Sequence, residues 1–173
     1  TSRPNGAPLR LNDIPIVNFL EQIAADFELE AQKRHMAIEV SSENRDVVLE
    51  LDAEKMVRVI NNLLSNAIKY GHENSTILME VLKKEGVITI AVRNEGDPIS
   101  KEVLDQLFTR FYRAEGSRSK ETGGTGLGLA IAENIVHSHG GIMFAESENG
   151  QTSFYVCLPT ENQGSLKEMT NHK

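Results

Sequence analysis

The chain has 173 residues, 39% of them hydrophobic and 25% charged, enough for one domain with a buried core and too apolar for disorder. With 18 Lys+Arg against 25 Asp+Glu, the net charge of −7 argues against binding nucleic acid or an acidic membrane through a basic surface, so an anionic ligand must be caught locally. No apolar run approaches the roughly 20 residues of a membrane span, no secretory signal opens the chain, and the single Cys157 excludes an internal disulfide, all of which fits a cytoplasmic domain.

Residues 1–8 (TSRPNGAP) read as a flexible lead-in. Asp13 is a good N-cap for a helix over Ile14–Arg34, where Ile16, Val17, Leu20, Ile23, Ala24, Phe27 and Ala31 repeat at helical spacing. Met36–Val40 and Val47–Leu51 are β-prone runs. Asp52 caps a second helix running to about Tyr70. Thr76–Lys84 and Val87–Arg93 alternate around Glu85-Gly86 as a hairpin, and Lys101–Phe108 is a short helix. Residues 110–124 carry no period and read as a long mobile loop. Leu127–His139 is a third long helix, and Gly141–Glu146 with Thr152–Leu158 form a second hairpin around Asn149-Gly150. The polar tail from residue 160 reads as disordered. Domain boundaries are therefore 1–8, 9–159 and 160–173. The fold class is an α+β two-layer sandwich, a mixed and mostly antiparallel sheet with about three helices on one face.

Three segments could carry chemistry. On the second helix Asn62, Asn66, Lys69 and Tyr70 share one face, opposite an apolar face of Met56, Ile60, Leu63, Leu64 and Ala67. A solvated face explains this as well as a site does, although two asparagines are poor helix formers, their amide oxygens suit magnesium, and the lysine suits phosphate. Asn94-Glu95-Gly96-Asp97-Pro98-Ile99 ends a strand, and in isolation an ordinary turn explains it better. The strongest signal is Gly123-Gly124-Thr125-Gly126-Leu127-Gly128-Leu129, which runs straight into an apolar helix. Backbone N–H groups at such a helix start attract phosphate. It lacks the Gly-Lys-Ser/Thr of a Walker loop and the βαβ setting of a dinucleotide fingerprint. Just before it, Arg110, Arg113, Arg118 and Lys120 form a cationic cluster in an acidic chain.

Taken together these segments resemble the catalytic, ATP-binding domain of sensor histidine kinases, within the GHKL superfamily shared with DNA gyrase and MutL. The resemblance runs from about Leu9 to Pro159. The family's asparagine box is similar to Asn62–Tyr70, its first glycine box to Asn94–Ile99, its phenylalanine box to Phe108-Thr109-Arg110-Phe111-Tyr112-Arg113, and its second glycine box to Gly123–Gly128. The stretch from RFYR to HSHGG also resembles VanS-type vancomycin-resistance sensors.

The resemblance implies a Bergerat-type ATP-binding fold with ATP and Mg2+ as cofactors. Asn66 would ligate magnesium, with Asn62 supporting the phosphates or the metal. Lys69 would contact phosphate, Tyr70 would pack on adenine, and Asn94, Gly96, Ile99 and Phe108 would line the site. Arg113 and Arg118 would meet the terminal phosphate from a lid over 110–125. Gly124, Thr125, Gly126, Leu127 and Gly128 would close on the triphosphate. Two positions depart from the pattern. Asn94 stands where the family usually has Asp, and Pro98 replaces a glycine, which puts tight binding in question.

Asn62 stands where gyrase-like relatives carry a glutamate base, and an amide cannot take a proton from water. The implied reaction is therefore transfer of the terminal phosphoryl group to an external histidine. Of His35, His72, His137, His139 and His172 only His72 is followed by an acidic residue, Glu73, and residues 71–75 around it read as a loop, so the acceptor is expected on a separate helical dimerisation domain. The expected parent is a membrane-anchored sensor with a downstream response regulator, this domain itself touching neither membrane nor nucleic acid. A non-catalytic nucleotide-sensing module and an anti-sigma-type serine kinase are the alternatives.

Overall fold

The computed structural model describes residues 8–108 and 126–160. Its elements are β1 (Asn12–Pro15), α1 (Ile16–Asp26), α2 (Glu28–Gln32), β2 (Ala37–Ser42), β3 (Val48–Leu51), α3 (Ala53–Tyr70), β4 (Thr76–Lys84), β5 (Val87–Glu95), α4 (Lys101–Gln106), α5 (Gly126–Ser138), β6 (Ile142–Glu148) and β7 (Gln151–Pro159). The main sheet has the order β2-β4-β5-β7-β6. Only β2 and β4 pair in parallel; the other pairs are antiparallel.

Strand periodicity and register together build one apolar face. Met79 pairs with Val92 and Val92 with Phe154, while Val81 pairs with Ile90, Ile90 with Val156 and Val156 with Met143. All of these belong to one buried cluster with Leu20 of α1, Ile60 and Leu64 of α3 and Val136 of α5. The helices thus cover a single side of the sheet, the two-layer arrangement expected from the sequence. Both hairpins turn where the dipeptides predict: Glu85 and Gly86 have φ of 49° and 80°, Asn149 and Gly150 of 56° and 78°.

The first helix differs from its expectation. It begins at Ile16 rather than Ile14, and Pro15, not Asp13, precedes it, at φ −72° and ψ 111°. Proline bars its predecessor from helical backbone, so Asn12–Pro15 stay extended and pair with β3, Ile14 opposite Leu49. The helix then breaks at Phe27 (φ −101°, ψ 3°), and both Phe27 and Ala31 pack on the core. Both strands expected over 36–51 form, in different sheets: β2 joins the main sheet and β3 the two-stranded one.

Away from the helices, the sheet carries a polar network. Arg93 Nη2 donates to Glu80 Oε1 at 2.9 Å, and Nη1 donates to Tyr155 OH at 2.9 Å and Ser153 Oγ at 3.2 Å. Tyr155 stacks on Phe144 at 4.8 Å. Among the described residues, no helix is long and apolar enough to cross a membrane. The expected lead-in, lid and tail fall on residues 1–7, 109–125 and 161–173, outside the described residues, as do Arg113, Arg118, Gly124 and Thr125.

Candidate functional site

Helix α3 starts as the sequence predicts, with Asp52 Oδ1 accepting the N–H of Lys55 at 3.1 Å. It buries Met56, Val59, Ile60, Leu63, Leu64 and Ala67 against the sheet and α5, while Asn62 and Lys69 are half-buried and Tyr70 is 50% exposed. The shared polar face of Asn62, Asn66, Lys69 and Tyr70 is therefore formed. Its deepest member is Asn66, only 9% exposed. Asn66 Oδ1 is buried and has no hydrogen-bond partner, the one such side-chain atom among the described residues. A buried acceptor left unpaired costs about 1–3 kcal/mol, and folded proteins leave few of them without a reason.

The end of α3 is bound to the end of β5. His72 N–H donates to Glu95 O at 2.7 Å, and Arg34, reaching over from the end of α2, donates through Nη1 to the carbonyls of Ile68 and Lys69. Two glycines allow this approach. A Cβ on Gly71 would lie 2.5 Å from Ala67 O and 3.3 Å from Asn94 Cβ, and one on Gly96 would lie 3.0 Å from Asn94 Nδ2 and 3.3 Å from Tyr70 O. Asn94 is 5% exposed between them, its Nδ2 donating to Glu95 O at 3.1 Å. That bond uses one of the amide's two N–H groups, so the second N–H and the oxygen remain to meet a ligand. At the rim His72 Nε2 is 3.0 Å from Asp97 Oδ1, and the Lys69 ammonium is 5.7 Å from the centre of the Tyr70 ring. Partial burial pushes the Tyr70 phenol above its ordinary pKa, so it is protonated at neutral pH.

The two asparagine-bearing segments, with Asn66 and Asn94 separated by 28 residues in sequence (94 − 66) but adjacent in space, thus form one corner. Ile99 and Phe108 are anchored elsewhere: Ile99 N–H donates to Ser147 Oγ of β6 at 2.9 Å, and the Phe108 ring lies 6.2 Å from Phe154 of β7. Gly126, Leu127 and Gly128 form the first turn of α5. α3 packs along α5, and the two run antiparallel, because Asp52 before α3 meets His139 after α5 through a 3.0 Å hydrogen bond. At 1.5 Å per residue, Asn66 is about 21 Å from that junction along α3, and Gly126 about 20 Å from it along α5. The glycine-rich helix start is therefore level with the orphan amide. The sequence reading missed Arg34, Gly71 and the His139 junction, whose partners are remote in sequence and leave no local pattern.

Comparison with known proteins shows the family and the fold. Residues 51–162 match the family described as histidine kinase-, DNA gyrase B-, and HSP90-like ATPase. The sensor histidine kinase WalK of Bacillus subtilis is 37% identical over 153 residues, spanning 87% of this chain and 25% of the relative. The sensor protein VanS of Enterococcus faecium is 43% identical over 114 residues, 66% of this chain and 29% of the relative. The chain thus spans about a quarter of the length of these curated relatives. The solved catalytic domain of histidine kinase ThkA superposes with a TM-score of 0.79 at 25% identity, covering 88% of this chain and 97% of that one. ThkA has also been solved in complex with the response regulator protein TrrA, where the match has a TM-score of 0.74 at 24% identity over 87% of this chain and 42% of that one.

Proposed function

From its place in the histidine kinase-, DNA gyrase B-, and HSP90-like ATPase family, to which the chain belongs, we infer that it binds Mg-ATP at the α3–β5 corner and transfers the terminal phosphoryl group to a histidine on a separate helical domain of a two-component sensor. The observation that carries this reading is Asn66 Oδ1, buried and without a partner. A neutral carboxamide oxygen is a hard donor of the kind magnesium accepts. Among the described residues no three His, Cys, Asp or Glu side chains are grouped to hold a metal, so phosphate and water would supply the rest of the coordination. Magnesium bound there neutralises phosphate charge.

The chain's own residues supply positioning. Asn94 offers its amide oxygen to the adenine amine, and Tyr70 provides apolar surface for the base. Lys69 pairs with phosphate, and the first turn of α5 presents its free N–H groups to the same charge. Arg113 and Arg118 are the proposed partners of the terminal phosphate. Asn62 cannot act as a base toward water, so the bound triphosphate is kept for the histidine nucleophile. That histidine and a response regulator are the proposed partners, within a longer membrane-anchored sensor.

The test is calorimetric titration of the 173-residue chain with ATP, with and without magnesium. Saturable binding that magnesium strengthens is expected, and Asn66→Ala should remove the magnesium-dependent part while leaving the fold intact by circular dichroism. Equal affinity of the variant and the wild type would remove Asn66 from the metal site.

A further inference from the structure

At the end of the α3–α5 pair remote from the candidate site, His139 is engaged through both ring nitrogens. Nδ1 is 2.8 Å from Ile135 O, and Nε2 is 3.0 Å from the main-chain nitrogen of Asp52. A carbonyl only accepts and a main-chain N–H only donates. The ring therefore carries its proton on Nδ1 and a lone pair on Nε2, the neutral imidazole in a single tautomer. The charged group that faces it is the Asp52 carboxylate, which accepts main-chain N–H groups from Arg10 (2.9 Å) and Lys55 (3.1 Å); on α5 itself Glu133 lies 3.8 Å from His137.

We propose that His139 is a positioning residue for nucleotide binding, a proton-sensitive tie that fixes α5 lengthwise against α3 and so holds the glycine-rich start of α5 level with Asn66. The proposal rests on the nucleotide reading given above. It needs no contact between His139 and ligand, because both halves of the site ride on the two helices joined here. A second proton on the ring would point Nε2–H at the Asp52 N–H. The imidazolium then turns to the adjacent Asp52 carboxylate and competes for the oxygens that cap α3. The tie holds while the ring is neutral and releases when it is protonated.

The experiment uses the full 173-residue chain and a fluorescent ATP analogue with magnesium. At about pH 7.5, where an ordinary histidine is neutral, nitrogen-15 NMR should report the Nδ1–H tautomer for the resonance missing in H139Q. H139A should bind the analogue about fivefold more weakly, a typical coupling between separated sites, and H139Q, whose Oε1 accepts the Asp52 N–H without titrating, should restore affinity to within about twofold. Between about pH 7.5 and 5.5 the wild type should lose about fivefold in affinity relative to H139Q. An Nε2–H tautomer, H139A binding like the wild type, or parallel pH curves for wild type and H139Q would each overturn the tie. If H139A does not fold, the pH comparison of the other two decides. If the wild type binds no nucleotide at about pH 7.5, the nucleotide reading fails and the positioning role with it, whereas nucleotide binding without His139 dependence refutes the tie alone.

Discussion

Replacing Gly71 by alanine tests how the site's corner is held. The backbone there is ordinary, at φ −74° and ψ 160°, so the penalty comes from space rather than conformation. The new methyl would lie 2.8 Å from Met36 Cε, a flexible chain end that can swing aside, but 2.5 Å from Ala67 O, which cannot. That carbonyl belongs to the last turn of α3 and accepts the N–H of Gly71 itself at 2.9 Å. Relief requires the helix end to move and this bond to stretch. Losing the bond costs about 1 kcal/mol and overpacking about 1–3 kcal/mol more. The sum, about 2–4 kcal/mol, corresponds to a fall in Tm of about 5–15 °C for a domain of this size. Because the same methyl approaches Asn94 Cβ at 3.3 Å, nucleotide affinity should fall along with stability. Thermal and urea unfolding followed by circular dichroism, with nucleotide titration below the transition, would measure both. A Tm shift under about 2 °C would refute the steric account, since no relaxation of a backbone carbonyl is that cheap.

Two further substitutions probe the scaffold. Burial pushes the Asp52 carboxyl upward, but N–H groups from Arg10 and Lys55, with the nearby Lys55 and His139 charges, outweigh it and hold its pKa below the ordinary 3.8. A carboxylate with a lowered folded pKa contributes stability above its unfolded pKa and loses it as pH falls through the folded value. Asp52→Asn keeps a capping oxygen, so the stability gap between wild type and variant should close as pH falls below about 4; a gap that widens below about pH 4 would reverse the assignment. Arg93→Lys keeps the charge but not the fork that serves Glu80, Ser153 and Tyr155 together, and should cost about 1–2 kcal/mol, a Tm lowered by about 2–8 °C. An unchanged Tm would show that a single ammonium satisfies the network.

What the sequence disclosed follows the range of the interactions. Asp52 as a cap, the alternation of β4 and β5, and the positive-φ dipeptides of both hairpins act within a few residues, and each is formed as expected. The start of α1 was legible too, through Pro15, but the apolar period of Ile16, Val17 and Leu20 continues smoothly past it and masks the stop. The pairing of β1 with β3 joins Asn12 to Leu51, and the parallel pairing of β2 with β4 joins Ala37 to Thr76, registers that no local pattern encodes. The site divides in the same way. The amide side chains were recognisable as residue types at helical spacing. That Asn66 would be the buried and unpartnered one, and that Gly71 rather than a side chain would let α3 reach Asn94, depends on packing between segments remote in sequence.

The choice of amides over carboxylates in this corner follows from the chain's charge. If it binds nucleotide as proposed, a molecule of net charge −7 must hold a polyanion without adding to the repulsion. On the nucleotide reading, a carboxylate about 5 Å from a phosphate oxygen at an effective dielectric near 20 would oppose binding by about 3 kcal/mol, more than tenfold in affinity for each such group. On that reading Asn62 and Asn66 offer oxygen donors without that charge. On the same proposal, positive charge would come instead from Lys69, the helix start at Gly126 and the metal ion. Among the described residues Asn66 Oδ1 is the one buried side-chain atom that folding leaves without a partner. Ligand binding returns the desolvation energy that folding spent at this atom, so affinity and stability should trade against each other at Asn66 more directly than at any neighbouring position on α3.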